Sequence, residues 1–227
     1  MFSYNSMKKI LFKFDPETAH NIAEYGLRIL GKCKIAKAYM QKKNYINNPK
    51  LTQEVFGVKF ANPVGLAAGF DKNATMIKAM QSLGFGFTEI GTMTPKPQDG
   101  NPKPRMFRYP EQKSVQNAMG FNNKGAHEVL KNLKKVYPFE IPIGTNIGKN
   151  KTTPEEFALN DYKSLIKKFE ETSDYLVINI SSPNTPNLRD LQNEKFITEL
   201  FTMARELTEK PILLKIAPDM EVQMAIN

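Results

Sequence analysis

The chain has 227 residues, 41% of them apolar, and 32 basic against 23 acidic side chains for a formal charge of +9, the composition of a folded globular protein with a sizeable core. A single cysteine, Cys33, excludes an internal disulfide and any all-cysteine metal or iron–sulfur centre, and with His20 and His127 as the only histidines a metal hydrolase has almost no ligands. No run approaches the roughly 18 apolar residues of a spanning helix and no cleavable leader is legible, so a cytoplasmic protein is expected.

The positive charge is uneven. Residues 1–45 hold nine Lys or Arg against three acids, which suits nucleic acid, anionic lipid or a merely solvated face. Met7, Ile10, Leu11 and Phe14 recur at helical spacing with Lys8, Lys9 and Lys13 beside them. Asp15-Pro16-Glu17 reads as a fresh helix start, with Asp as N-cap, Pro in the first turn and Glu favoured by the helix dipole. The second helix places Ala19, Ile22, Ala23, Gly26, Ile29 and Leu30 on one stripe, and a third basic segment runs from Ile35 to Lys43. Such short, Lys-rich amphipathic helices read either as a membrane-surface unit or as stripes packed on the main domain. Nucleic acid is disfavoured, because the cations have no aromatic stacking platform among them.

From Asn48 onward apolar strands alternate with helical patterns, the signature of a parallel α/β sheet. Strands are predicted at Pro63–Gly69, Phe87–Thr94, Ile141–Gly148, Tyr175–Ser182 and Pro211–Pro218. The first leads into a helix through about Leu83, and further helices are predicted at Gly125–Val136, Pro154–Glu171 and Lys195–Thr208. The stretch Pro95–Gly120, with four prolines in its first half, is too long for an ordinary connection and reads as a binding loop or lid.

Each strand finishes in small or polar residues: Gly69 with Lys72, Thr92, Asn146, Asn179 with Ser182, and Lys215. In a parallel barrel these ends share one face, where chemistry is assembled. Ala67, Ala68 and Gly69 let a flat ring approach the backbone, and a cation with two amides suits a polarised heteroaromatic ring such as a flavin. Singly, each signal is also what a loop cap or close packing produces; their coincidence at five strand ends points to a site.

These residues carry a family resemblance. AAGFDKN (Ala67–Asn73), EIGTMTPKPQDGNPKPRMFR (Glu89–Arg108), NAMGFNNKG (Asn117–Gly125), GTNIGKNK (Gly144–Lys151), NISSPNTPNLRDLQ (Asn179–Gln192) and LLKIAPD (Leu213–Asp219) together resemble class 2 dihydroorotate dehydrogenase, collinearly over essentially the whole chain. The resemblance implies a (β/α)8 TIM barrel, of which about five βα units are present, with an N-terminal α-helical quinone and membrane-docking region at 1–45 and an FMN-binding barrel domain at 46–227. It further implies that the remaining units, with the FMN phosphate loops, follow Asn227, and that an open five-stranded remainder exposes two long apolar edges.

The implied reaction is oxidation of (S)-dihydroorotate to orotate in pyrimidine (UMP) biosynthesis, with FMN as cofactor and a membrane quinone as acceptor. Ser182 falls at the position of the class 2 base; the class 1 alternative needs a cysteine there, and Cys33 lies in the helical region. An isolated hydroxyl is a poor base in water, so Ser182 needs water excluded and an exit for the proton. The resemblance assigns Lys72, Asn117, Met119, Gly120, Phe121, Asn179 and Asn184 to substrate, and Ala67, Ala68, Gly69, Thr92, Asn146, Asn179 and Lys215 to the flavin. His20 and Arg108 match the quinone tunnel, which turns the amphipathic stripes into tunnel wall and dock for an anionic membrane surface. No metal and no nucleic acid are implied, and a monomer bound peripherally at the cytoplasmic face of a bacterial membrane is expected. Ala118 and Met119 stand where relatives often carry Arg followed by Met or Tyr. The competing readings are a non-catalytic fragment of that enzyme and another FMN-dependent pyrimidine oxidoreductase.

Overall fold

A computed structural model describes residues 4–220, so the outermost residues of the two segments 1–45 and 46–227 lie outside the described residues. Three helices lead: α1 (Tyr4–Leu11), α2 (Pro16–Lys32) and α3 (Lys34–Asn44). The Asp15 carboxylate accepts the N–H groups of Glu17 and Thr18, both at 3.1 Å, and so caps α2 as its Asp-Pro-Glu start predicts. The face that α2 buries differs from the predicted stripe: Ala19 is buried and Leu27 and Leu30 pack on the core, while Ile22 and Ile29 are exposed together with Tyr25. The buried stripe is therefore rotated around the helix, because Leu27 reaches the core and Gly26 has no side chain with which to do so. No helix among the described residues is long and apolar enough to cross a membrane.

Two short strands, β1 (Gln53–Val55) and β2 (Val58–Phe60), form a hairpin that the sequence reading missed. Its two-residue loop, Phe56-Gly57, has positive φ at both positions, the turn whose twist matches antiparallel strands. Phe60 then stacks edge-on against Phe87 at 5.2 Å, placing the hairpin against the inner face of the main sheet.

That sheet has five parallel strands in sequence order: β3 (Gly65–Leu66), β4 (Phe87–Met93), β7 (Ile143–Ile147), β8 (Tyr175–Asn179) and β9 (Ile212–Lys215). The strand order is that of consecutive barrel staves, and the sheet is open, β3 and β9 being its edges. Of the two long apolar edges expected, one is only Gly65–Leu66, because the chain enters a turn at Ala68–Gly69. Between the strands lie α4 (Ile77–Met80), α5 (Gly125–Lys134), α6 (Ala158–Phe169) and α7 (Glu194–Leu207). The long insertion 95–120 folds as a second hairpin, β5 (Met106–Tyr109) with β6 (Ser114–Asn117).

Strand parity divides the sheet into two faces. Ile90, Ile143, Ile147, Leu176 and Ile178 face the helices and are fully buried with Met80, Val129, Leu133, Leu165, Ile166 and Phe169, each contributing roughly 1.5–3 kcal/mol of transfer free energy. The other face carries Phe87 and Glu89, Gly144 and Asn146, Tyr175 and Asn179, and Leu213 and Lys215. Gly144 has to be glycine, since a Cβ there would lie 2.2 Å from the Tyr175 ring. Polarity rises along this inner face, from aromatic at the strand starts to amide and charged at their C-terminal ends.

Candidate active site

Gly91 and Thr92 set the geometry of the rim. The β4–β7 register slips between Ile90 and Met93, a bulge of the kind that re-aims a side chain. Gly91 sits at φ +105, and a Cβ on it would fall 2.3 Å from the Asn146 carbonyl, so only glycine permits the approach. The bulge turns the Thr92 side chain inward, where its hydroxyl donates to Asn146 Oδ1 at 2.5 Å. Asn179 Nδ2 donates to Thr92 Oγ1 at 2.9 Å and to Asn146 Oδ1 at 3.4 Å. Asn146 Nδ2 donates to Glu89 Oε1 at 2.7 Å, and Asn179 Oδ1 accepts both the N–H and the hydroxyl of Ser181, at 3.0 and 2.9 Å. Thr92, Asn146 and Asn179 are all buried and hydrogen-bonded to one another.

Lys215 is paired with Asn179 across β8 and β9 and is exposed on the same face. Burial raises the Glu89 carboxyl above its usual range, while the Asn146 hydrogen bond and the Lys215 charge oppose the shift. On the far side of Thr92, Ala67 and Gly69 are exposed and Ala68 half-buried. The Gly69 N–H donates to Gly91 O at 2.7 Å, which pins this loop to β4. Gly69 has φ +103, and a Cβ on it would meet nothing within 4 Å, so open space lies above a small-residue floor.

Lys72 donates to Gly69 O at 2.6 Å, and burial holds its amine below the ordinary lysine range. It lines a cavity of about 80 Å³ with His20, Glu17, Glu24, Phe70, Met119 and Asn122. Asn122 Oδ1 is buried there with no hydrogen-bond partner among the described residues. His20 meets Phe70 edge-on at 4.8 Å. Arg108, on β5, donates to Phe14 O at 2.8 Å and lies over the Phe12 ring at 4.6 Å, so the β5–β6 hairpin is held against the α1–α2 junction.

Ser182 is half-buried, and its hydroxyl oxygen accepts the Asn184 N–H at 3.2 Å, a local turn bond. Ser181 is the buried one, tied to Asn179. Asn184 Nδ2 reaches Asn117 O at 3.4 Å, which brings together two predicted substrate residues that are far apart in sequence. Asn101 holds that junction: its amide donates to Ala118 O at 3.0 Å and Asn184 O at 3.2 Å, while its Oδ1 accepts Lys151 Nζ at 3.0 Å. Met119 and Gly120 are buried beneath, Gly120 O accepting Gln98 Nε2 at 3.0 Å, and Phe121 adopts φ 53 next to Gly148. Sequence reading missed Glu89, Asn101, Arg105 and Asn122. The first three lie inside the motif Glu89–Arg108, whose density of polar residues was the available signal.

Residues 50–227 match the family described as dihydroorotate dehydrogenase. The chain belongs to the dihydroorotate dehydrogenase family. It is 61% identical over 224 residues to a protein of a Nitratiruptor species and 62% identical over 226 residues to one of Sulfurimonas denitrificans, covering 99% and 100% of this chain. Both are named dihydroorotate dehydrogenase (quinone), the class 2 branch, and the chain spans 64% of the length of each. Among solved structures it is similar to the dihydroorotate dehydrogenase of Eimeria tenella in complex with ferulenol, with TM-score 0.79 and 36% identity over 92% of this chain and 61% of that one.

Dihydroorotate dehydrogenases are flavoproteins, and their fold is a TIM-barrel-like α/β fold, of which the present sheet supplies five parallel strands without closure. The residues of this chain fit a flat heteroaromatic ring. The Ala67–Gly69 floor is open, the Thr92–Asn146–Asn179 row stands beside it, and the Lys215 cation closes the opposite flank.

Proposed function

We propose that this chain carries the dehydrogenation site of an FMN-dependent enzyme that oxidises (S)-dihydroorotate to orotate and passes the electrons to a membrane quinone. The observation that carries the reading is the meeting, at one end of one sheet, of the Thr92–Asn146–Asn179 row with Lys215 and with the Ser182–Asn184 loop that leaves β8. FMN, when bound, supplies a hydride acceptor at N5. Ala67, Ala68 and Gly69 leave room for its ring, Thr92, Asn146 and Asn179 offer it amide and hydroxyl groups, and Lys215 favours negative charge on it.

Lys72 faces the anionic and carbonyl oxygens of the substrate, and Asn117, Asn179 and Asn184 present amides to the pyrimidine edge and carboxylate. Backbone and side chains of Met119, Gly120 and Phe121 complete the pocket. Ser182 takes the C5 proton as the C6–H pair leaves as hydride, so that the C5–C6 bond becomes a double bond. The turn bond from Asn184 occupies one lone pair of Oγ and leaves another to receive that proton while the hydroxyl's own proton passes on toward solvent, so that Ser182 ends the step neutral.

Residues His20 and Arg108, held by Phe70 and by Phe12 and Phe14, line the quinone path. Met7, Ile10, Phe14, Ile22, Tyr25 and Ile29 are all exposed on α1, its C-terminal extension and α2, close to Lys8, Lys9 and Lys13. Exposed apolar side chains ringed by cations suit a monomer bound peripherally to an anionic membrane, at the cytoplasmic face of a bacterial cell. The test is dihydroorotate-dependent quinone reduction by the FMN-loaded protein and its Ser182→Ala variant. Loss of turnover with FMN retained is expected; unchanged turnover would refute the role of Ser182.

A further inference from the structure

We infer that Glu89 is a positioning residue that holds the Asn146 amide, and through it the Thr92 hydroxyl, in the one polarity that matches Asn179 in the row from β4 to the Ser181–Ser182 rim. An ionised carboxylate can only accept, so at 2.7 Å from Glu89 the Asn146 side chain must present its NH2 group. Its Oδ1 is thereby turned the other way, toward Thr92 and Asn179. Oδ1 can only accept, so the Thr92 hydroxyl must donate to it, and the lone pairs of Thr92 must face Asn179. Asn179 therefore presents its NH2 to Thr92 and its Oδ1 to Ser181, whose N–H and hydroxyl both donate. Each amide taken alone could be flipped at little cost in shape, since oxygen and nitrogen are nearly the same size. The Ser181 N–H, which can only donate, fixes the Asn179 amide from one end of the row, and the half-buried Glu89 carboxylate fixes Asn146 and, through it, the Thr92 hydroxyl from the other.

The placement of Glu89 supports this role. Below it on the inner face lie Phe87, Tyr175, Leu213 and the hairpin residues Val55, Val58 and Phe60, around an apolar space of about 310 Å³. Among the described residues Asn146 is the hydrogen-bond partner of the carboxylate, and that bond together with the Lys215 charge opposes the burial that raises the carboxyl above its usual range. A half-buried acid on an otherwise apolar floor is costly, and an apolar residue would pack there more readily. What the carboxylate supplies in return is the polarity that it imposes on Asn146 and Thr92 above it.

This inference rests on the flavin reading of that row. The test uses full-length protein, with FMN affinity measured for Glu89→Gln, Glu89→Asp, Thr92→Val and the Glu89→Gln/Thr92→Val pair. Gln has the same shape but can donate as well as accept, so both polarities become accessible. A charge-assisted hydrogen bond is roughly twice as strong as a neutral one, and its loss is expected to weaken FMN binding about tenfold while the unfolding midpoint stays near that of the parent. Glu89→Asp, which can only accept, should recover most of the affinity. Because Thr92→Val interrupts the same row, the double variant should lose less than the product of the two single losses. FMN affinity unchanged in Glu89→Gln, or losses that multiply, would overturn the inference while leaving the flavin site standing. A parent protein that binds no FMN would overturn both. Were Glu89→Gln to misfold, Glu89→Met, which the apolar floor accommodates and which cannot fix the polarity of Asn146, takes its place in the same cycle with the same outcomes.

Discussion

Arg105 and Glu17 form a two-pronged ion pair across 88 residues of sequence: Nη2 donates to Oε1 at 2.6 Å and Nε to Oε2 at 3.1 Å. The side chains retain only 8% and 14% of their accessibility, and the remaining guanidinium nitrogen donates to the carbonyls of Asp99 and Asn101. The first turn of α2 is thus fastened to the loop before β5, and through Asn101 to the Ser182–Asn184 loop.

Breaking that pair is expected to be costly, because the partner left behind is a mostly buried charge. Arg105→Ala should lose about 3–5 kcal/mol of stability, read from the chemical-denaturation midpoint. The Arg105 hydrogen bond holds the Glu17 carboxyl below its usual range. Its folded-state value being depressed, this contribution is present above the unfolded carboxylate range and is lost as pH falls through the folded value. The difference between parent and Arg105→Ala should therefore shrink in acid. A gap that does not change with pH would contradict the coupling.

His20 gives a second pH dependence at higher pH. Burial first, then the Lys72 charge, holds its imidazole below the ordinary value. The unfolded chain therefore takes up a proton near pH ~6.5, as free imidazole does, before the folded protein does, so stability falls as pH drops through that value. His20→Asn should flatten the slope of the thermal midpoint between about pH 5.5 and 7.5. If the slope is the same in both proteins, another group is responsible.

Gly144→Ala should destabilise by roughly 1–3 kcal/mol or more, because the new methyl meets the Tyr175 ring at 2.2 Å within a rigid pair of strands. Tyr175→Leu removes the obstructing ring atoms. In the double variant the two losses should add to less than their sum, by the cycle of unfolding free energies. Full additivity would place the clash elsewhere.

Ser181 and Ser182 separate structure from chemistry. Ser181→Ala removes a hydroxyl that only orients Asn179, and should cost about 1 kcal/mol in stability with a modest fall in kcat. Ser182→Ala removes the proposed base, and should lower kcat by roughly 10²–10⁴ with little change in stability. Steady-state turnover of the two variants at matched FMN occupancy decides; equal losses would refute the division.

Local chemistry was legible in the sequence. Asp15-Pro16-Glu17 starts α2 because capping and proline geometry act within one turn, and the five strands of the main sheet fall inside their predicted spans because buried parallel strands are short apolar runs. Motif residues at the strand ends were likewise readable one by one. The two hairpins were not, since Phe56-Gly57 is a weak turn signal and β6 is an exposed, largely polar strand, Ser114–Asn117.

Sequence alone thus determined which side chains lie at the C-terminal ends of the strands, since parity and apolar runs are properties of neighbouring residues. Only the tertiary structure decided how those side chains are used. The bulge that turns Thr92 inward, the glycine that admits the Asn146 carbonyl, the face that α2 buries and the carboxylate that orients Asn146 all depend on strands and helices separated by tens of residues. Register and packing set those contacts. Neither is written in any single stretch of chain.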